Sequence, residues 1–319
     1  MITTNINEAI LALKSNKIIA IPTETVYGLA GNAYNESALK KIFALKKRPF
    51  HNPLIVHIKS IDYLNNVACD IPEAAIKLAK LFWPGPLTLV LKRQPHIPDF
   101  VTSGKETVAV RVPNHPLTLS LLEQLDFPLA APSANPFGSI SPTSAEHVSY
   151  YFNDDLEIIL DGGICEKGIE STIIGFKNGQ PILYRHGSIS VDEIEKAIGK
   201  LNVSTNDNLQ PSAPGMLSRH YAPKTDIYIT NNITELIGSF PNKKIGLLLF
   251  KNQIILQQST YKKVLSETGN MKEAAKNLYA ALHQLDMINL DLIIAERFPN
   301  EGLGKTINDR LQRAVNKDK

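Results

Sequence analysis

The 319-residue chain has only two cysteines and no long apolar run. Cys69 and Cys165 lie far apart in sequence and form neither a CxxC pair nor a Cys/His metal pattern, which argues for a reducing compartment. No apolar run approaches the ~20 residues that a membrane span needs. The N-terminus also lacks a basic leader followed by a long apolar segment. We therefore expect a soluble, cytoplasmic protein that does not contact a membrane.

The chain also has little excess of either charge. Its 34 basic and 31 acidic residues leave a formal net charge of +3, too small for a dedicated nucleic-acid binder. Zinc spacing, a serine elbow and a dinucleotide fingerprint are all missing. The segment 301–306 ends like a phosphate-binding Walker A loop, but Pro299 stands where the leading glycine should be, so we interpret it as the approach to a helix. Any anion site must therefore be local.

The remaining composition is that of a globular protein, and its length favours two domains. Apolar residues in the first two hundred positions alternate between helical and strand periods. Predicted helices cover 6–16, a segment capped by Asn35, 72–82, 116–125, a segment opened by a capping box over Thr143–Glu146, and 191–198. Predicted strands cover 18–21, 54–58, 87–91, 108–112, 128–131, 157–160, 172–176 and 182–184. The last three strands follow one another without helices, which indicates a mixed sheet.

Residues 199–224 interrupt this pattern, because they are polar, contain three prolines and lack either period. We predict a first domain over 1–202, a proline-rich linker over 203–224 and a small Rossmann-like α/β domain over 225–319. The predicted strands of the last domain cover 227–229, 245–250 and 292–295, and its helices cover 271–285 and 307–315. This second domain should be mostly parallel.

Two segments of the first domain carry polar groups where strands end. Segment 21–29 places Thr23, Glu24 and Thr25 where a buried strand emerges into a loop, a common position for ligands in α/β sheets. The threonines could equally cap a following helix. Loop 45–53 concentrates positive charge after a helix, which fits either a solvated basic cap or a clamp in which Arg48 forks onto phosphate and Lys46 supplies a point charge.

Two further segments could contact an anionic substrate. Arg111 shares a sheet face with Thr107 and Ala109, and it needs a partner: either a ligand carboxylate or an intramolecular ion pair. Loop 130–143 combines small residues, prolines and hydroxyls that would let a phosphate or a purine approach the backbone. A plain loop before a capped helix is the alternative.

Six segments together carry a specific resemblance. PTETVYGL, LKKRPFHNPLIVHI, TVAVRVP, APSANPFGSISPT, GIESTII and YRHG follow one another in the order typical of the YrdC-like superfamily. With the linker SAPGMLSRHYAP and a second α/β domain ending EGLGKTINDRLQRA, the chain resembles the two-domain L-threonylcarbamoyladenylate synthases over nearly its full length. A single motif of this set would be weak, but the ordered set is specific.

The resemblance implies a twisted open mixed α/β sheet with a basic concave cavity. It implies a nucleotidyltransferase that converts L-threonine, bicarbonate and ATP, with Mg²⁺, into threonylcarbamoyl-AMP and pyrophosphate. The product would pass to a tRNA threonylcarbamoyl transferase, and a weak contact with tRNA itself stays open. Magnesium would arrive with ATP and be held by its phosphates, with no metal-ligating residue predicted and Glu24 as the nearest carboxylate.

The resemblance also implies roles for individual residues. The predicted threonine site contains Thr25, His57, Arg111, Ala131 and Ser171. The predicted ATP site contains Lys46, Arg48, Asn52, Thr107, Ser133, Asn135, Ser141 and Arg185, with His220 or Tyr221 reaching back from the linker. Of these, Lys46, Arg48 and Arg185 would stabilise the charge that develops during adenylation. Linker residues 211–223 would act as a lid over a labile product, or simply as a tether.

Two alternatives remain at this stage. A basic concave surface could dock RNA without catalysis, although near-neutral charge and the lack of aromatic RNA motifs weigh against it. A related YrdC-like enzyme could use a different carbamoyl donor or acceptor, since spacing alone does not select the amino acid.

Overall fold

The computed structural model describes residues 1–203, 220–252 and 261–315, and in these ranges the chain forms two β-sheets flanked by helices. The strands of the first sheet are β1 (Ile2–Thr3), β2 (Ile19–Ile21), β3 (Gly28–Asn32), β4 (Ile55–His57), β5 (Ala68–Cys69), β6 (Leu87–Arg93), β7 (Thr107–Arg111), β8 (Leu129–Ala130), β9 (Ile159–Leu160), β10 (Thr172–Lys177), β11 (Gln180–Arg185) and β12 (Asn202–Val203). The strands of the second sheet are β13 (Asp226–Thr230), β14 (Ile245–Leu249), β15 (Tyr261–Val264) and β16 (Leu292–Glu296).

Helices cover the sheets. With the first sheet are α1 (Ile6–Lys14), α2 (Glu36–Lys46), α3 (Glu73–Phe82), α4 (Asp99–Thr102), α5 (Pro116–Glu123), α6 (Ala145–Phe152) and α7 (Val191–Ile198), together with short 3₁₀ helices at Ile61–Asn66 and Asn153–Asp155. With the second sheet are α8 (Ile233–Gly238), α9 (Met271–Asp286) and α10 (Gly302–Ala314). Among the described residues no helix combines the length and the apolar character that a membrane crossing requires.

The first sheet is mixed, as the sequence predicts. Its strands run in the order β1-β9-β2-β3-β8-β4-β7-β6-β10-β11-β12, and β5 pairs with β6. Strand β7 pairs in parallel with β4 and antiparallel with β6, and β10 forms an antiparallel hairpin with β11. Because β4 and β7 are parallel, His57 and Arg111 lie side by side at their carboxyl ends.

The second sheet is parallel in every described pairing, in the order β13-β16-β14-β15. Helix α9 begins at the N-cap Asn270, whose side chain accepts hydrogen bonds from two backbone N–H groups of its first turn. Its apolar face joins a buried cluster that also contains Val26, Ile140 and Tyr221. The second domain therefore shares a hydrophobic core with the loops of the first.

Most predicted elements are present, and the differences have local causes. The predicted capping box is wrong by one position: Ser144, not Thr143, caps α6, and Glu146 is then one residue too early to close the box. Helix α10 begins at Gly302 rather than 307, so the Walker-like residues form its first turns. Residues 204–219, most of the predicted linker and lid, lie outside the described ranges, so the domain boundaries and the lid stay predictions.

Candidate active site

A cavity with about 530 Å³ of empty space lies at the carboxyl ends of β4, β7 and β11, beside the loops that follow β2 and β8. Ten of the predicted site residues line it: Thr25, Arg48, His57, Arg111, Ala131, Ser133, Ser171, Arg185, His220 and Tyr221. Residues separated by almost two hundred positions in the sequence therefore meet at one site. Thr23, Val26, Gly28, Ile55, Pro132 and Glu170 complete the lining.

The neighbouring His57 and Arg111 form one end of the cavity. Both are buried, and burial followed by the charge of Arg111 lowers the pKa of His57 to about 3. At neutral pH His57 is therefore an uncharged donor and acceptor. Its Nδ1 atom is buried and has no hydrogen-bond partner among the described residues, so it can accept or donate a bond to a ligand.

Arg111 forms an ion pair within the protein. Its Nη2 atom lies 2.7 Å from Oε1 of Glu24, Nη1 donates to Oγ1 of Thr25 at 2.9 Å, and Nε donates to the carbonyl of Gly85 at 3.2 Å. The intramolecular ion pair that the sequence left open is thus present. The backbone N–H of Asn114 also donates to Glu24, so this carboxylate is engaged and does not line the cavity.

The basic loop after α2 is folded inward, so its description as a solvated basic cap is wrong for its two key side chains. Arg48 is 6% exposed and donates to the carbonyls of Asn52 and Pro53 at 3.0 and 2.8 Å. Burial is the main cause that lowers the pKa of Arg48 to about 9, and the charge of Arg185 lowers it further. Arg48 therefore carries its charge into the cavity at neutral pH.

Lys46 lies beneath this loop and does not line the cavity. Its Nζ atom donates to the backbone carbonyls of Ser133 and Asn135, and burial, followed by the charge of Arg48, lowers its pKa. The backbone carbonyl of Lys46 accepts in turn from the N–H of Phe137. Lys46 thus ties the end of α2 to the serine loop. These bonds hold Ser133 at the cavity wall.

Four other predicted site residues also lie outside the lining. Both polar side-chain atoms of Asn52 are buried and have no hydrogen-bond partner in the described part of the chain, and Asn135 donates to the carbonyls of Pro136 and Ser139. Ser141 donates to Oε1 of Glu170 at 2.6 Å. Thr107 begins β7, four residues before the Arg111 end of that strand, which explains its separation from the cavity.

Arg185, at the end of β11, packs on Ser171. Its guanidinium donates to the Ser171 carbonyl from Nε at 3.2 Å and from Nη2 at 2.8 Å, and Nη2 also reaches Oγ of Ser171 at 3.1 Å. Ser171 is linked to Thr88 at 2.7 Å. These contacts orient Arg185 beside Arg48, and the two cations make this part of the cavity suitable for phosphate.

His220 and Tyr221 also line the cavity. Nδ1 of His220 and the hydroxyl of Tyr221 are both buried without a hydrogen-bond partner in the part of the chain that the structure describes. Burial is the main cause that lowers the pKa of His220 and raises that of Tyr221. The ring of His220 meets that of Phe137 edge-on at 5.8 Å. Two uncharged polar groups therefore face the cavity from beyond the undescribed segment.

Glu170 is the charged lining residue that was not predicted from the sequence. It lies in the GIESTII motif, but a carboxylate is unexpected beside Arg48, Arg111 and Arg185, which suit anionic ligands. Arg310 from α10 and Tyr279 from α9 donate to its Oε2 atom at 2.8 and 2.9 Å. Burial raises the pKa of Glu170, but the charges of Arg310 and Arg185 outweigh it and hold the pKa at about 2. Nothing in the sequence indicates that the second domain reaches this site.

The described residues do not form a metal cage. They contain no group of three or more His, Cys, Asp and Glu side chains placed to hold a metal ion. Glu24 is paired with Arg111 and Glu170 with Arg310, so neither carboxylate suits a magnesium ion bound by the protein. The donor set instead fits an anion.

The fold is that of an α/β protein of the YrdC-like class, and three arginines line its cavity. A family model described as "Telomere recombination" (Sua5_yciO_yrdC) matches residues 11–187, and one described as "Threonylcarbamoyl-AMP synthase, C-terminal domain" matches 189–315. The chain belongs to the threonylcarbamoyl-AMP synthase family. The predicted family, fold class and enzyme class are thereby confirmed.

Individual relatives agree over almost the whole chain. The threonylcarbamoyl-AMP synthase of Pyrococcus abyssi (strain GE5 / Orsay) is 41% identical, covering 95% of this chain and 91% of its own, and that of Bacillus subtilis (strain 168) is 40% identical, covering 97% and 92%. The crystal structure of P. abyssi Sua5 complexed with L-threonine matches with a TM-score of 0.90 at 41% identity, over 97% of this chain and 93% of that one. These relatives share both domains with the present chain.

Proposed function

We propose that this chain condenses L-threonine, bicarbonate and ATP into threonylcarbamoyl-AMP and pyrophosphate. The observation that carries the proposal is that one buried cavity joins Arg48 and Arg185, which suit a polyphosphate, to Arg111 and neutral His57, which suit an amino acid. The proposal also rests on membership of the threonylcarbamoyl-AMP synthase family.

The proposed threonine subsite consists of Thr25, His57, Arg111, Ala131 and Ser171. Arg111 uses three of its five N–H groups for Glu24, Thr25 and Gly85, so two remain for the substrate carboxylate. The complex of the P. abyssi relative with L-threonine supports the choice of amino acid. Neutral His57 would accept from or donate to the substrate through its unpartnered Nδ1 atom.

The proposed ATP subsite lies on the other side of the cavity. Arg48 and Arg185 would contact the phosphates, with Ser133 and the unpartnered groups of Asn52, His220 and Tyr221 nearby. Thr107, Asn135 and Ser141 were predicted here too, and they belong to the surrounding frame rather than to the lining. Lys46 would act by holding the serine loop, since its ammonium is engaged by two carbonyls.

The proposed chemistry needs positioning and charge stabilisation. The threonine amine attacks bicarbonate to give a carbamate and water, and a carbamate oxygen then attacks the α-phosphate of ATP as pyrophosphate leaves. Negative charge grows on the phosphates in the second step, and Arg48 and Arg185 would stabilise it from fixed positions. Cys165 is no candidate nucleophile, because burial is the main cause that raises its pKa to about 12.

Two further parts of the proposal concern what accompanies the reaction. Magnesium would enter with ATP and be held by its phosphates, where it would neutralise part of their charge. Threonylcarbamoyl-AMP is a mixed anhydride that water can hydrolyse, so it should pass directly to a tRNA threonylcarbamoyl transferase. A weak contact of this chain with tRNA would serve the same transfer.

The test is pyrophosphate release with threonine and bicarbonate each omitted in turn. Arg48→Ala should abolish the threonine-dependent release while the far-ultraviolet circular dichroism spectrum stays unchanged. The matched control is Lys47→Ala, which removes a neighbouring cation from an exposed position and should retain activity. Normal turnover by Arg48→Ala, or release that does not depend on threonine, would sink the proposal.

A further inference from the structure

Helix α10 of the second domain reaches the cavity wall through Arg310. This side chain is 1% exposed, and its Nε atom donates to Oε2 of Glu170 at 2.8 Å. Its Nη2 atom donates to the carbonyl of His186 at 2.6 Å, directly after the cavity residue Arg185. Its guanidinium carbon also lies 4.7 Å from the centre of the Tyr221 ring. One side chain of the second domain thus contacts three segments around the site.

The contact between Arg310 and Glu170 matters because Glu170 is negatively charged and lines the cavity. A carboxylate fixed in the wall of a cavity opposes the entry of a triphosphate. The arginines that line the cavity, Arg48, Arg111 and Arg185, against Glu170 and the Glu24 partner of Arg111 leave a net charge of +1, and Arg310 raises it to +2. Asp309, which also pairs with Arg310, is shared with Arg313. Charges act strongly across a partly desolvated site, so this difference bears directly on the binding of a polyanion.

Glu170 also connects the two domains through hydrogen bonds, which explains the presence of a carboxylate at this position. Its Oε1 atom accepts from Ser141, and its Oε2 atom accepts from Tyr279 as well as from Arg310. It therefore links the serine loop of the first domain to α9 and α10. The second domain supplies both a neutral donor and the compensating cation.

We propose that Arg310 is a positioning residue of the nucleotide site, through which the second domain neutralises Glu170 and allows the cavity to accept the triphosphate of ATP. The inference deepens the proposed function and rests on it. It assigns the second domain an electrostatic part in ATP binding. Threonine, which binds on the Arg111 side with no net charge, should depend on Arg310 much less.

The test compares a variant that lacks the charge of Arg310 with a variant that lacks the charges of both Arg310 and Glu170. Arg310→Gln should raise KM for ATP by about tenfold or more, because it leaves a buried carboxylate uncompensated, while KM for threonine changes by less than about threefold. The double variant Glu170→Gln with Arg310→Gln removes both charges and keeps an amide that can bond Ser141 and Tyr279. It should return KM for ATP to within about threefold of the wild-type value.

A pH profile distinguishes this role from a merely structural one. Without Arg310, burial should raise the pKa of Glu170, so that the carboxylate becomes neutral as the pH falls. KM for ATP of Arg310→Gln, taken relative to wild type, should therefore improve between pH 8 and pH 6. Lys305→Gln removes a cation from the same helix, has no contact with Glu170, and should leave both KM values unchanged.

Several results would overturn the inference: equal increases in both KM values, an unchanged KM for ATP in Arg310→Gln, or a double variant with KM for ATP still about tenfold raised. The double variant decides the matter even where Arg310→Gln alone does not fold, because it carries no uncompensated charge. ATP binding measured by calorimetry separates this inference from the proposed function. A wild-type protein that binds ATP but releases no pyrophosphate would contradict only the latter.

Discussion

Glu24 and Arg111 form an ion pair with 2.7 Å between Oε1 and Nη2, and their side chains are only 2% and 4% exposed. The pair joins the loop after β2 to the end of β7, and it leaves part of the guanidinium directed at the cavity. Arg111 is therefore fixed in place before any substrate arrives. A preorganised cation binds a carboxylate at lower entropic cost than a mobile one.

This geometry predicts a large loss of stability in Glu24→Ala. Removing one partner of a buried pair leaves the other charge uncompensated, so we expect a decrease of about 3–5 kcal/mol in the free energy of unfolding, measured with urea. The control is Glu157→Ala, which breaks the exposed pair with Lys17, where the side chains are 60% and 48% exposed. That change should cost about 0–1 kcal/mol. Equal losses in the two variants would contradict the prediction.

A substitution at Asn52 should have the opposite effect: it should impair ATP binding without lowering the stability of the fold. The residue is 0% exposed, and within the described ranges neither its Nδ2 nor its Oδ1 atom has a hydrogen-bond partner. Leucine has a similar shape without polar atoms, so Asn52→Leu should leave stability unchanged or raise it by about 1–3 kcal/mol. The same variant should raise KM for ATP, because the proposed ATP site includes this amide as a hydrogen-bonding group.

Two assays separate these effects. Thermal unfolding without ligand reports the stability, and ATP titration of pyrophosphate release reports the affinity. Asn65→Leu, at an exposed position of the first 3₁₀ helix, serves as the control and should leave KM unchanged. A destabilised Asn52→Leu with normal KM would show that the amide serves the fold alone.

Local patterns predicted much of the fold because its longer elements follow their periods closely. Helix α7 has the predicted ends, and α2 begins after the predicted cap Asn35. Strand β3 was missed, since GLAGN contains two glycines and little apolar alternation, and its extended form depends on pairing with β2 and β8. Tertiary pairing decides such strands, and no window of sequence contains it.

The candidate site was predictable to a similar degree. The order of the motifs predicted ten of the lining residues as parts of one site. Each segment taken alone also had a purely structural interpretation. Arg310 was out of reach, because nothing in the sequence of α10 distinguishes it from Arg313 or Lys305. Only the packing of α10 against the first domain brings it within 2.8 Å of Glu170, 140 positions away. Long-range contacts of this kind need the structure.

A substitution at Gly168 would test how closely α9 packs against the first domain. This glycine has a φ of +68°, and a Cβ atom added to it would lie 2.1 Å from the backbone oxygen of Lys276 in α9. Gly168→Ala should therefore lower the free energy of unfolding by about 2–5 kcal/mol, the sum of left-handed strain and overlap with rigid backbone. Chemical denaturation measures the loss.

Gly179 is the matched control for that experiment. It has a φ of +76°, but no atom of the described residues lies within 4 Å of an added Cβ, so Gly179→Ala should cost only the strain of about 1–2 kcal/mol. The difference between the two variants isolates the contact between domains. Identical losses would mean that α9 moves away from Gly168 without penalty.

Finally, His283 should make the protein sensitive to acid. Its ring stacks on His147 at 3.9 Å, faces Tyr151 at 5.5 Å and bonds the Ser141 carbonyl at 3.2 Å. Burial, and then the charge of His147, lowers its pKa from 6.5 to about 3. Between these values the unfolded chain binds a proton that the folded protein does not, so stability falls as the pH drops below 6.5.

The size of this effect follows from the same linkage. Between pH 7 and pH 5 the wild-type protein should lose about 2 kcal/mol more than His283→Gln, whose amide cannot titrate. Urea unfolding at both pH values measures the difference, and His51→Gln, at an exposed position, is the control. Because the comparison is made within each protein, any loss of packing in the variant cancels. Equal losses in wild type and His283→Gln would show that His283 takes up its proton without unfolding, and that the contact between α9 and the serine loop tolerates the charge.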